Sequence, residues 1–316
     1  MLNRRYLRIK AMQALYGYFQ SGDNDMPRGE RELLRSVDRT YELYIYLLLA
    51  FGEIHRYAVH LIEENRNKHL PTADDLNPSL NFVNNKVIKQ LASHPGLKRE
   101  SESRKLGWQR DEDMELARKI WSKVRGWDGY KIYMATENPD YITDSEFLLD
   151  VFKRFIADDD EVEHYLEEQN MHWPGDLNMA VAPALIRTLE SGKEDKNPEL
   201  APLFKDAEED RRFVVDLYRK AIIENEDYEK RIAEKTTNWE VDRIALMDVI
   251  LMKMALVELQ YFPSIPVKVT LNEYIEVSKT YSTPRSKQFI NGILDKLVAD
   301  FKNEGKLMKS GRGLME

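Results

Sequence analysis

The segment IALMDVILMKMALVEL, residues 244–259, restricts the fold more than any other part of this chain. Wound as a helix it is apolar on every side, with Asp248, Lys253 and Glu258 as the interruptions. A helix apolar all round is stable only when neighbours enclose it, so the chain has to build a bundle about this segment. Its three charges also set it apart from a membrane span, and no uninterrupted apolar run reaches the roughly 18 residues that crossing a bilayer takes. Elsewhere Gly (14) and Pro (12) are sparse among the 316 residues, and the two-residue alternation of strands is almost absent. The fold class read from this pattern is all-α.

Helical spacing places helices at 4–20, 30–65, 80–92, 111–124, 144–157, 159–169, 176–191, 206–234, 240–261, 270–281 and 284–303. Polar, proline-bearing stretches at 64–80, 93–107 and 191–202 read as loops. The 30–65 stretch is long enough to contain a break. Thr270 and Glu273 have capping-box spacing for the start of the 270–281 helix. Pro284 suits the first position of the last helix. Gly292 inside that helix reads as a point of close approach, because a mid-helix glycine otherwise costs about 1 kcal/mol.

The formal net charge is −8, which argues against a protein that coats nucleic acid over its whole surface. A local basic patch stays compatible with it, since exposed charges are screened beyond about 10 Å. The absence of cysteine excludes disulfides, thiolate metal sites and cysteine nucleophiles. The N-terminus is basic but lacks the apolar stretch of a signal peptide, and the expectation is a cytoplasmic protein without membrane contact. No HExxH, P-loop or GxSxG motif occurs, so no catalytic residue, metal or cofactor is expected. DDDEVEH at 158–164 lacks the spacing and glycine of a calcium loop and reads as an acidic helix start. His55, His60, His69, His94, His164 and His172 are scattered and read as surface or structural residues. Trp108, Trp121, Trp127 and Trp173 read as core.

The first helix poses the sharpest question. Leu7, Ala11, Ala14, Leu15, Tyr18 and Phe19 share one side of it, and Arg4 and Arg8 fall on that same side. A dry core rejects unpaired cations, so these first turns are expected to overhang the bundle or to lie at its rim. Arg5 sits on the flank, close in angle to Tyr16. Cations at a helix N-terminus also oppose the macrodipole. One reading is an RNA-binding edge, with phosphates on guanidinium groups and unstacked bases on rings. The other is a set of solvated charges that pair with the acidic remainder. Phe289 leaves a similar choice: at the edge of the last helix's apolar stripe, behind Arg285 and Lys287, it either stacks a base or completes the core.

RRYLRIKAMQALY at 4–16, WEVDRIALMDVILMKMALVEL at 239–259 and IPVKVTLNEYIEVSKTYSTPRSKQFINGILDKL at 265–297 together resemble the bacterial transcription antitermination factor NusB family. The resemblance covers about 1–22 and 200–300. It implies a NusB-like helical bundle of two subdomains built from 1–22 and 200–304. Residues 23–199 would then be an inserted helical extension of unknown role, and 305–316 a flexible basic tail. It also implies a non-enzymatic factor that binds boxA-type, single-stranded RNA of nascent ribosomal RNA transcripts. The partners would be ribosomal protein S10 (NusE) and the RNA polymerase antitermination complex.

Carried over position by position, Arg4, Arg5 and Arg8 are the RNA-contacting arginines, with Tyr6 standing where another arginine is common. Tyr16 and Phe289 are the RNA-facing aromatics. Arg285, Ser286 and Lys287 supply polar contacts, and Asp248 matches the acidic residue that meets S10. A homodimer that hides the RNA face is a further arrangement in the family. The alternative function is a protein-interaction scaffold that uses the inserted region, with RNA binding weakened or lost. Ribosomal RNA cytosine methyltransferases also carry such a domain, but they need a Gly-rich cofactor domain and a cysteine nucleophile, both missing here.

Overall fold

The computed structural model describes residues 1–22, 25–173, 175–236 and 244–314. The expected start of the insertion at 23 and the start of the 240–261 helix, with residues 239–243 of the resemblance, lie outside the described residues. In chain order the helices are α1 (Arg4–Ser21), α2 (Met26–Arg66), α3 (Ala73–Leu76), α4 (Asn81–Asn84), α5 (Lys86–Ser93), α6 (Pro95–Arg104), α7 (Asp111–Gly126) and α8 (Asp128–Ala135). They continue as α9 (Tyr141–Phe152), α10 (Asp160–Gln169), α11 (Ala182–Ser191), α12 (Ala207–Ile223), α13 (Asn225–Lys235), α14 (Leu246–Tyr261), α15 (Val267–Tyr281) and α16 (Ser286–Asn303). Among the described residues the nearest thing to a strand is an isolated bridge between Lys193 and Lys196, and the protein is all-α.

The chain divides into two compact units. One holds residues 2–37 and 204–316, the other Met1 and 38–203. These boundaries differ from the 22/23 and 199/200 read from the sequence. The reason is α2, a single unbroken helix whose residues 26–37 belong to the first unit and whose remainder belongs to the second.

In the first unit α14 is the central element. Every residue from Ile250 to Leu259 is buried, enclosed by α1, α12, α13, α15 and α16. α1 starts on Asn3, whose side chain accepts the Tyr6 N–H at 2.9 Å, and stops at Gly22 in the left-handed region (φ 65). The 206–234 helix is two, broken at Glu224. α15 begins one turn earlier than its capping-box spacing suggested. Pro266 holds extended backbone just before it, and Thr270 lies inside the helix with its hydroxyl turned to Glu258. α16 begins at Ser286 instead of Pro284, because the Thr283 N–H donates to Ser286 Oγ (3.2 Å) and folds 283–285 into a turn. A Cβ on Gly292 would meet open space, so no helix approaches there. Gly29 is the glycine that a close approach requires, since a Cβ there would come within 1.9 Å of the Tyr218 hydroxyl. The tail docks where a flexible segment was expected: Ser310 N–H donates to Pro263 O at 3.0 Å and Lys309 Nζ to Phe262 O at 3.1 Å.

In the second unit the middle of α2 is the core. Tyr44, Leu47, Leu48, Phe51 and Ile54 are buried against α5, α7, α9 and α11 residues such as Ile88, Ile120, Leu148 and Leu185. One window of α2 is apolar enough by composition to cross a membrane, and this packing is where its apolar surface goes. The 93–107 stretch contains α6 instead of a loop. Pro95 opens that helix and His94 Nδ1 caps it by accepting the Leu97 N–H at 3.1 Å. α8 had no sequence signal strong enough to read. Asp113 is fully buried and accepts from Tyr46 (2.6 Å), Tyr165 and Arg110 (2.6 Å).

Candidate nucleic-acid interface

The charges that interrupt the apolar α14 are all buried, and each has partners. Asp248 accepts from Ser286 Oγ at 2.7 Å and from Ser282 Oγ. Lys253 Nζ donates to Asn225 at 2.6 Å and to Glu229 at 2.9 Å. Glu258 accepts both Nε and Nη2 of Arg8 at 2.7 Å, with Thr270 (2.8 Å) and Tyr274 (3.2 Å) completing its shell. A buried charge is tolerated only when paired and hydrogen-bonded, and these three meet that condition.

Arg8 therefore does not overhang. Its side chain is 3 % exposed and Glu258 is 0 % exposed. Burial works against the Arg8 charge, but the Glu258 carboxylate outweighs it and raises the guanidinium above its usual value. The same buried neighbourhood pushes the Tyr274 phenol well up, through burial first and Glu258 second. The sequence rule that a cation on the core side must sit at a rim failed because its counterion came from a helix 250 residues away. A signal existed: a Glu in an all-round apolar helix and an Arg on an apolar stripe are opposite charges seeking each other.

Arg4 and Arg5 are more open. Arg4 pairs with Glu209 and lies over the Phe213 ring at 5.1 Å. Arg5 makes a two-pronged pair with Glu273, Nε at 2.9 Å and Nη2 at 2.7 Å, while remaining half exposed. That hydrogen bond is the main cause of its raised pKa. Glu273, read as a cap, thus gathers Arg5 and, at 3.3 Å, Arg8.

The α16 start contributes Arg285 and Lys287, both exposed. Glu276 lies on α15. Its carboxyl is held below the ordinary value first by a hydrogen bond from Lys279, then at longer range by Arg5 and Lys287. α15 packs against both α1 and α16, the helices whose starts carry these cations. Ser286, assigned a contact role from the sequence, is buried and bonded to Asp248. Asp248, assigned to a partner surface, is itself only 5 % exposed and faces Ser282 and Ser286. Both point inward because the turn at 283–285 closes over them. Tyr16 is 39 % exposed, and Phe289 is half-buried. Among the described residues no cluster of His, Asp or Glu has the makings of a metal site.

Comparison with known proteins bears on this surface. Residues 186–299 match the model of the NusB family. The chain is 42% identical over 105 residues to the transcription antitermination protein NusB of Salinibacter ruber, covering 33% of this chain and 66% of that protein. It is 41% identical over 104 residues to that of Chloroherpeton thalassium, covering 33% and 49%. Against the Koribacter versatilis protein it is 36% identical over 103 residues, covering 32% and 70%. The match thus spans less than two thirds of the first two relatives. The family match leaves out α1, and no solved structure matches the chain.

Proposed function

Because this chain belongs to the NusB family, we propose that it is a non-enzymatic transcription antitermination factor. It binds boxA-type RNA of nascent ribosomal RNA transcripts together with ribosomal protein S10, in the cytoplasm, within the antitermination complex of RNA polymerase. What supports this reading is that α15 packs against both α1 and α16, the helices whose starts carry Arg5 and Lys287, with Arg285 exposed beside Lys287. These cations suit phosphates, and exposed Tyr16 offers a ring to an unstacked base. On this reading Arg4 and Phe289 also contact the RNA. Arg8 and the Asp248–Ser286 pair act here as positioning groups: the one fixes α1 on α14, the other fixes the α16 start.

The test is fluorescence anisotropy with labelled boxA RNA and a scrambled control, with and without S10. The reading expects a boxA preference that S10 strengthens. Equal binding of both RNAs under both conditions would overturn it.

One observation favours a second reading, a protein-interaction scaffold with weakened RNA binding. Each arginine of the first helix already faces a carboxylate: Arg4 with Glu209, Arg5 with Glu273, Arg8 with Glu258. On that reading the 38–203 unit carries the principal activity, and RNA binding shows neither boxA preference nor steep salt dependence.

A further inference from the structure

The unit formed by residues 38–203 contains a cavity of about 380 Å³ between the C-terminal part of α2 and the helices α7 and α8. That volume lies in the range of small-molecule sites. Leu61, Ile62, Phe82, Val83 and Met134 give it apolar walls. Three further lining residues, Trp121, Arg125 and Tyr130, carry donors that the protein leaves unused.

Trp121 is 5% exposed, and its Nε1–H meets no acceptor. Among the described residues the other buried tryptophans are satisfied: Trp108 donates to Tyr46 O at 2.9 Å and Trp173 to Arg39 O at 2.8 Å. A buried donor without a partner is costly and uncommon, so the contrast points to a ligand atom as the acceptor. Arg125 closes the same cavity with an exposed guanidinium that makes no ion pair or hydrogen bond among the described residues. It acts electrostatically on the Tyr130 phenol, whose hydroxyl is likewise uncommitted. The Trp121 ring lies 4.5 Å from Phe82 and 5.4 Å from Tyr130, centroid to centroid, so the donors stand beside aromatic faces.

We infer that this cavity binds a small organic monoanion, an aromatic or apolar body carrying one carboxylate. Its carboxylate accepts from Trp121 Nε1–H, the Tyr130 hydroxyl and Arg125, and its body lies against Phe82, Leu61 and Met134. A second negative charge is disfavoured, because Asp74 and Asp75 also line the cavity. The cavity is lined by residues between 58 and 134, outside the 186–299 family match, and is independent of the RNA reading.

Isothermal titration of the full chain tests it, with phenylacetate and indole-3-acetate as probes. Each is compared with its neutral amide, and phenylmalonate serves as a dianion. The acids are expected to bind about tenfold more tightly than the amides, the difference a charge-assisted hydrogen bond supplies. Phenylmalonate is expected to bind more weakly than phenylacetate. Arg125→Gln, at an exposed position, should keep the melting temperature and abolish the preference of acid over amide. Trp121→Phe should weaken the acids while keeping the ring. The inference is overturned by no binding of either acid up to millimolar concentration, by equal binding of acid and amide, or by an acid preference that survives in Arg125→Gln.

Discussion

Replacing Glu258 with Gln tests whether the first unit is organised around its buried ion pair. The substitution keeps size and shape but removes the charge that faces Arg8 across two 2.7 Å contacts. Arg8 would then be an uncompensated cation at 3 % exposure, with Glu273 at 3.3 Å as its remaining anionic neighbour. Breaking a buried pair on one side costs about 3–5 kcal/mol. For a unit of this size that corresponds to a fall of about 10 °C in melting temperature. Circular dichroism at 222 nm in a denaturant and heat series gives both quantities. Arg8→Met should cost a similar amount for the mirror-image reason. The double variant Arg8→Met/Glu258→Leu should cost less than either single change, because replacing both partners by apolar groups is often neutral or stabilising. If Glu258→Gln lies within about 1 kcal/mol of wild type, or if the two single costs simply add, the account of this pair is refuted.

The half-exposed Arg5–Glu273 pair supplies a control: Arg5→Gln should cost less than about 1 kcal/mol in the same melts, since solvent screens it. Gly29→Ala should destabilise by about 1–3 kcal/mol in chemical denaturation, because its methyl would meet the buried Tyr218 ring with no room to yield. In the second unit, burial would raise the Asp113 carboxyl, but Arg110, Tyr165 and Tyr46 outweigh burial and bring it to about 2. A depressed carboxyl contributes stability present above its unfolded value and lost as pH falls through the folded one. Melts should therefore show up to about 2 kcal/mol lost between roughly pH 4 and pH 2, and Asp113→Asn should flatten that part of the profile.

The all-α class was legible because the 244–259 segment leaves no other way to bury its surface. The two units were partly legible: a separate middle region stood out, but α2 carried the boundary to residue 37, past the 22/23 boundary that the resemblance implied. Helices such as α6 and α8 were missed because short helices that start at His94 or Trp127 carry weak periodicity and are fixed by their surroundings. At the candidate interface, the residue types were legible and their directions were not. Arg8, Ser286 and Asp248 look like surface groups in a one-dimensional reading. Each turns inward because its hydrogen-bond partner lies on another helix, a pairing that local spacing does not encode. The same limit hid the Trp121 donor, since composition says that a tryptophan is core but not whether its N–H is satisfied.

The central claim is that the exposed cations at the α1 and α16 starts hold RNA while Arg8 holds the fold. The most direct measurement is the salt dependence of boxA RNA affinity for wild type and for Arg285→Ala/Lys287→Ala. Each lost phosphate contact on a single strand lowers the slope of log affinity against log salt by about 0.7. The double variant should therefore lose about 1.4 from the slope while melting like wild type. An unchanged slope in that variant, with binding intact, would contradict the account and move the RNA surface elsewhere on the chain.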